Sequence, residues 1–185
     1  QKRTLTLVRL GTSGALQPEI AVDSFVLTAT AIGFDGLLNF YHGRNQVCNL
    51  AMEKAFCSHM DWNPQLAKPY FVPSDIKLTN MLADFTTEGI TISAPGFYGP
   101  QGRVLRLQLA DPDINSKIES FRFDGRMITN YEMESSAING LSLLLGHKSV
   151  TVCAIIANRV TGKASTAYSQ TMAKLIEQTL ERLCN

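Results

Sequence analysis

Four apolar runs constrain what this chain can fold into more than any other feature. Residues 5–10, 25–32, 90–93 and 150–157 are rich in Val, Ile, Leu and Thr, and their apolar character is mostly continuous rather than alternating. A strand with one wet face alternates apolar and polar positions, whereas a continuous run belongs to a sheet covered on both faces. The first run is an unusual opening, because a fully buried strand wants neighbours on both sides. Three helical patterns lie between or after the runs. Ser74-Asp75 offers a cap for a helix to about Thr86, with Gly89 beyond it. From Glu132 to Leu145, apolar positions recur at Met133, Ala137, Leu141, Leu144 and Leu145, and Gly146 follows as a stop. Residues 166–183 carry Met172, Ala173, Ile176, Leu180 and Leu183 on one stripe, with Lys174, Glu177, Gln178, Glu181 and Arg182 on the other face. Strands alternating with helices predict a three-layer α/β fold. The segment 41–73 reads less clearly. Residues 45–60 have a helical pattern, and Asn63-Pro64 through Pro73 reads as a loop.

Charge narrows the classes of function. Lys and Arg total 17 against 16 Asp and Glu, a net charge of +1. Such a balance gives no electrostatic footprint for nucleic acid or an anionic membrane. Charged residues make up 18% of the chain, against a typical ~25%, which fits a surface partly buried against other subunits. No apolar stretch approaches the ~20 residues of a membrane span. Lys2-Arg3 runs at once into a strand-like segment, so no secretory leader is expected. The four cysteines, Cys48, Cys57, Cys153 and Cys184, form no CxxC pair and no zinc-like cluster with histidine. A reducing, cytoplasmic setting is expected, with Cys153 a small core residue.

Three segments carry residue types suited to chemistry. In Arg9-Leu10-Gly11-Thr12-Ser13-Gly14, small residues at a strand's carboxyl end let backbone N–H groups approach an anion. Thr12 and Ser13 add hydroxyls, and Arg9 adds a fork suited to phosphate. The plainer reading is a strand followed by a tight turn. Ala15 stands where a GxSxG elbow needs its second glycine, which argues against a serine hydrolase. In Asn130-Tyr131-Glu132-Met133-Glu134-Ser135-Ser136, two carboxylates flank a methionine where a strand meets a helix. Neighbouring side chains there point apart, so the two acids are not expected to reach one ligand. One can accept from sugar hydroxyls, or both simply meet the helix macrodipole. In Gly96-Phe97-Tyr98-Gly99-Pro100-Gln101-Gly102-Arg103, Gln101 offers a donor and an acceptor while Arg103 only donates. Together they can read a planar heterocycle bearing carbonyls and an N–H; an ordinary surface loop is the alternative. His42, His59 and His147 share no motif, and Trp62 reads as a packing residue.

These three segments, in this order, resemble the nucleoside phosphorylase family, which includes uridine phosphorylases and hexameric purine nucleoside phosphorylases. The resemblance covers most of the chain except residues 41–73, and it is closest to the uridine branch. It implies a three-layer α/β/α fold around a central mixed, twisted sheet. It also implies that residues 1–185 are a single domain, the C-terminal two-thirds of a longer polypeptide. Arg9 and Thr12 would hold phosphate, with Thr12 also near the ribose. Glu134 would accept from ribose hydroxyls, and Met133 would pack on the sugar. Gln101 and Arg103 would bond a uracil, Phe97 would wall the base, and Ile156 and Ala157 would line its pocket. Arg9, Thr12, Gln101 and Arg103 are the catalytic set that this implies.

The expected reaction is phosphorolysis of uridine to uracil and ribose 1-phosphate. It needs no metal and no cofactor, only inorganic phosphate as co-substrate. The partners expected are the nucleoside and phosphate, with no nucleic acid and no membrane. Assembly as a homo-oligomer, a hexamer built from dimers, is the expectation carried by the family. Purine-acting members place an aspartate after the last strand; here Ala157-Asn158-Arg159 has no acid, with Arg159 in its place. That favours a pyrimidine. A related phosphorylase or nucleosidase acting on another base, or a catalytically incomplete nucleoside-binding homologue, are the alternatives.

Overall fold

In the computed structural model, which describes residues 3–184, the strands join in one mixed sheet. Lys2, used above against a leader, lies outside the described residues. The strands are β1 (Thr6–Ala15), β2 (Phe25–Gly33), β3 (Tyr70–Pro73), β4 (Thr87–Ser93), β5 (Arg122–Phe123), β6 (Arg126–Glu132) and β7 (Lys148–Asn158). Their order is β1-β7-β2-β4-β6-β5, with β3 on β2. Parallel ladders join β1 to β7, β2 to β4 and β4 to β6, and an antiparallel ladder joins β2 to β7. A short antiparallel ladder, Gly14 opposite Tyr131 and Ala15 opposite Asn130, then turns β1 back onto β6. The α/β architecture with a mixed sheet is the expected one.

Two features of β1 differ from expectation. The strand does not stop at Gly11; it runs through Gly11-Thr12-Ser13-Gly14 because β7 supplies a ladder partner at each position, with a register shift only between Ser13 and Gly14. Its start is also not buried, since Leu7 is 40% exposed and Leu5, just before the strand, 51% exposed. Three further strands, β3, the two-residue β5 and β6, have no counterpart among the expected runs. β3 lies where a loop was expected; Tyr70, Phe71 and Val72 are fully buried, and Pro73 sits at its end, where a strand tolerates it. β6 buries Thr129 and Asn130, whose polarity hides the strand in the sequence. They are satisfied inside: the Asn130 carboxamide donates to Ser13 Oγ at 3.0 Å and accepts from Thr91 and Thr129.

The helices are α1 (Arg44–Val47), α2 (Leu50–Met60), α3 (Ile76–Leu82), α4 (Ile114–Ser120), α5 (Ser135–Leu145) and α6 (Tyr168–Cys184). The segment 41–73 is a packing layer built on α2. Phe56 is fully buried, with Phe71 and Phe121 ring centroids at 5.4 and 5.2 Å, and Trp62 packs 4.9 Å from Phe34. The other side of the sheet is covered by α3 and α6, through Leu78, Leu82 and Leu175 against Val150 and Val152. α4 was not expected. α5 starts at Ser135 rather than Glu132, because Glu132 completes β6. Gly146, at φ 74°, ends it as expected.

α3 is capped by Asp75, whose Oδ1 accepts from Lys77 and Leu78 backbone N–H at 3.0 and 3.1 Å. Ser74 instead donates into the sheet, to the Thr28 carbonyl. Asp75→Ala should therefore cost about 1 kcal/mol of stability by urea unfolding, within the range for lost N-caps. A loss below about 0.3 kcal/mol would mean that the cap contributes nothing.

Candidate functional site

Two arginine clusters form on the sheet, one around Arg9 on β1 beside the end of β6, the other on the loop after β4 beside the ends of β6 and β7. Arg9, on β1, is the centre of the first. Its Nη1 lies 3.1 Å from Glu132 Oε2 and 3.5 Å from Cys153 Sγ, and its Nη2 pairs with Glu134 Oε2. Both carboxylates thus reach one guanidinium, contrary to the expectation that they point apart. The reason is local: Glu132 ends a strand, Glu134 precedes a helix, and the chain turns at Met133 between them. Their surroundings differ sharply, since the Glu132 side chain is 1% exposed and that of Glu134 is 54% exposed. Glu132 also caps α5, accepting from the backbone N–H of Glu134 at 2.9 Å and of Ser135 at 3.0 Å, and from Ser93 Oγ. That is the helix-start role weighed for these acids, performed by hydrogen bonds to the first amides.

Burial, the largest influence on the Arg9 guanidinium, acts against its charge. Cys153 and the two carboxylates more than offset it and hold its pKa above the ordinary arginine value. Burial pushes the Cys153 thiol up to about 12, so at neutral pH it is a neutral contact for Arg9. Gly11 makes room for this arrangement, because a Cβ there would sit 3.0 Å from the Arg9 guanidinium. Strand alternation puts Thr12 on the face of Val8 and Leu10, away from Arg9 and Gly11. Met133 is 41% exposed beside the carboxylates.

The second cluster lies on the loop after β4. A short 3₁₀ turn, Gly99–Gln101, buries Gln101 to 4% exposure, and Gly102 follows at φ 68° with no space for a side chain against Asn115. Arg103 Nη1 donates to Gln101 Oε1 and to the Phe97 carbonyl, each at 2.6 Å, and its guanidinium carbon sits 3.9 Å from the centre of the Phe97 ring. Arg159, just past β7, donates from Nη1 to the Gln101 carbonyl at 2.6 Å and stacks over Tyr131 at 4.8 Å. Its backbone N–H bonds the Ala15 carbonyl, so it ties this loop to the ends of β1 and β6. Two cations converge on one residue, and neither is ion-paired among the described residues. Burial, then Arg103, pushes Arg159 down to about 10; burial also lowers Arg103. Ile156 and Ala157 are half-buried at the end of β7, Ala157 opposite Gly14.

Arg103 also stands at the wall of a groove of about 1110 Å³, bounded by Trp62 and Leu66 of the 41–73 segment and by Tyr98, Leu105 and Leu107. Sequence reasoning weighed Glu132 only as one of two acids at a helix start and noted Arg159 only as standing where an aspartate was sought, and placed neither in the site. An arginine directly after a buried strand was the available signal for Arg159, and an acid on the last residue of β6 was that for Glu132. The histidines lie outside both clusters: His59 bonds the Lys117 carbonyl, and His147 Nδ1 accepts from the Leu5 backbone N–H. Among the described residues no group of three or more His, Cys, Asp or Glu can hold a metal ion. No described helix is long and apolar enough to cross a membrane.

The chain is 24% identical over 191 aligned residues to a uridine phosphorylase of Thermococcus kodakarensis, covering 96% of this chain and 57% of that protein. It is 27% identical to a uridine phosphorylase of Haemophilus influenzae, covering 83% of this chain and 54% of the relative. The chain therefore spans little more than half the length of these curated relatives. Among solved structures, a Trypanosoma brucei nucleoside phosphorylase with uridine phosphorylase activity superposes with a TM-score of 0.81 at 24% identity, over 97% of this chain and 63% of that one. That likeness establishes the nucleoside phosphorylase fold. The sequence model of the phosphorylase superfamily matches residues 4–185, which takes in both arginine clusters and every strand that positions them; the chain belongs to that superfamily.

Proposed function

We propose that this chain supplies the nucleoside-binding surface of a pyrimidine nucleoside phosphorylase, converting uridine and inorganic phosphate to uracil and ribose 1-phosphate. The observation that carries the reading is the base-side cluster: Gln101 held between Arg103 and Arg159, with no carboxylate among the described residues ion-paired to either arginine. A purine leaving group calls for an acid after Ala157, and Arg159 stands there instead. The two uridine phosphorylases among its relatives support the same choice of base.

In this reading Arg9 holds phosphate, while Thr12, on the opposite face of the same strand, does not share that contact. Glu134 has one oxygen on Arg9, which leaves Oε1 to accept from ribose hydroxyls beside Met133. Phe97, Ile156 and Ala157 enclose the base. A phosphate oxygen forms a bond to C1′ as the C1′–N1 bond breaks, through an oxocarbenium-like state. The bonding pair leaves with uracil, which takes up a proton. Donors fixed beside the base before the reaction stabilise that developing charge more in the transition state than in the ground state. We also propose that the enzyme is a homo-oligomer built from dimers, a hexamer, consistent with low charge content and with exposed Leu5, Leu7 and Leu107.

The test is uracil release by the full-length natural polypeptide. Release from uridine only when phosphate is present supports the reading. Release without phosphate makes it a hydrolase, and release from inosine instead overturns the choice of base. Glu134→Gln should lower kcat/KM for uridine by about tenfold, and should lower that for 2′-deoxyuridine less, because a carboxylate accepts the 2′-hydroxyl more strongly than a carboxamide does. Equal losses on the two substrates would remove Glu134 from the 2′-hydroxyl.

A further inference from the structure

We infer that Glu132 is a positioning residue that ties the phosphate side of the site to its ribose side; the inference rests on the phosphorylase reading above. Its carboxylate touches no solvent-facing space, yet it organises both groups that do. Oε2 is ion-paired with Arg9 Nη1 at 3.1 Å and accepts from the Glu134 N–H at 2.9 Å. Oε1 accepts from Ser135 N–H at 3.1 Å and from Ser93 Oγ. Arg9 is therefore a divided fork. Nη1 is held on the buried side by Glu132 and Cys153, and Nη2 is the end left to exchange Glu134 for another anion. The same carboxylate fixes the backbone from which Glu134 projects.

Two backbone amides and the Ser93 hydroxyl donate to Glu132 and the Arg9 guanidinium is ion-paired with it, so the position demands an acceptor at both oxygens. A carboxamide would turn an NH₂ toward donors and release either Arg9 or the start of α5. Ser93 secures the link from the other side, since its Oγ also accepts from the Ser136 N–H at 2.9 Å. β4 and β6 pair at this very position, Ser93 opposite Glu132. Nothing in Glu132 reaches substrate; it acts through Arg9 and Glu134.

The experiment compares wild type, Glu132→Gln and Glu132→Asp in the full-length natural polypeptide, with steady-state kinetics in phosphate, uridine and 2′-deoxyuridine. Expected for Glu132→Gln is a rise in the phosphate KM on the order of 10- to 100-fold, the scale seen when groups that orient binding residues are lost. The ratio of kcat/KM for uridine over 2′-deoxyuridine should fall with it, because Glu134 is no longer held. Glu132→Asp keeps the charge but is one methylene short of spanning both partners; it should fold, and should shift one of the two readouts more than the other. A purely structural role predicts less active protein with both KM values and the substrate ratio unchanged, and that result in either folded variant overturns the inference alone. A wild type that releases no uracil overturns the phosphorylase reading, and the inference with it.

Discussion

Arg103→Ala is expected to lower kcat/KM for uridine by about 30- to 1,000-fold, the scale of one lost charge-assisted contact in a closed site. Folding stability should stay near that of the wild type. The asymmetry follows from the charges around Arg103. Among the described residues it has no carboxylate partner, and its like-charged neighbour Arg159 is pushed down to about 10 by burial and then by Arg103 itself. Removing Arg103 therefore removes a repulsion along with the Phe97 stacking and the Gln101 bond. Charges without partners that cost rather than add stability fit a binding role better than a structural one. Arg103→Lys should recover only part of the activity, because an ammonium keeps the charge but not the planar fork that holds Gln101 Oε1 and the Phe97 carbonyl together. A folded Arg103→Ala protein with full activity on uridine and phosphate would remove this loop from base recognition.

How far the sequence could be read depended on whether a residue's role was set locally or by a distant partner. β2, β4 and β7 were legible because they are covered on both faces, so their runs of Val, Ile, Leu, Ala and Thr are mostly apolar. β6 was not among those runs, because Thr129 and Asn130 are fully buried yet polar, satisfied by Thr91 and Ser13 from strands far away in the chain. No local pattern announces such a network. β3 failed for a different reason: four residues ending in Pro73 carry too little periodicity to outweigh a proline. The site divides in the same way. Arg9, Glu134, Gln101 and Arg103 were legible as residue types in motifs. The contacts of Glu132 and Arg159 were not, since one is defined by Arg9 and Ser93 and the other by Gln101 and Tyr131, contacts that only the folded sheet creates. The turn expected at Gly11–Gly14 shows the converse error. Small residues there read as punctuation, but they serve close approach within a strand, with Gly11 under the Arg9 guanidinium.

Arg9→Ala should behave unlike Arg103→Ala, losing activity and stability together. On the activity side, the phosphate KM should rise by at least about 100-fold, since Arg9 is the cation proposed to hold the dianion and a charge-assisted contact is worth roughly 2–3 kcal/mol or more. On the stability side, the substitution strands Glu132, whose side chain is 1% exposed. Breaking a buried pair by removing one partner costs about 3–5 kcal/mol, because it leaves a buried charge uncompensated. The lower part of that range applies here, because the Glu134 and Ser135 amides and Ser93 still donate to the carboxylate. Urea unfolding measures the second effect and phosphate-dependent uracil release the first. Arg9→Ala combined with Glu132→Gln separates them, since the double variant removes the stranded charge along with the cation. It should regain stability relative to Arg9→Ala alone while its phosphate KM stays high. A single Arg9→Ala variant as stable as wild type would mean that the buried pair is not what holds Glu132 in place. A phosphate KM unchanged by it would move the phosphate site away from β1.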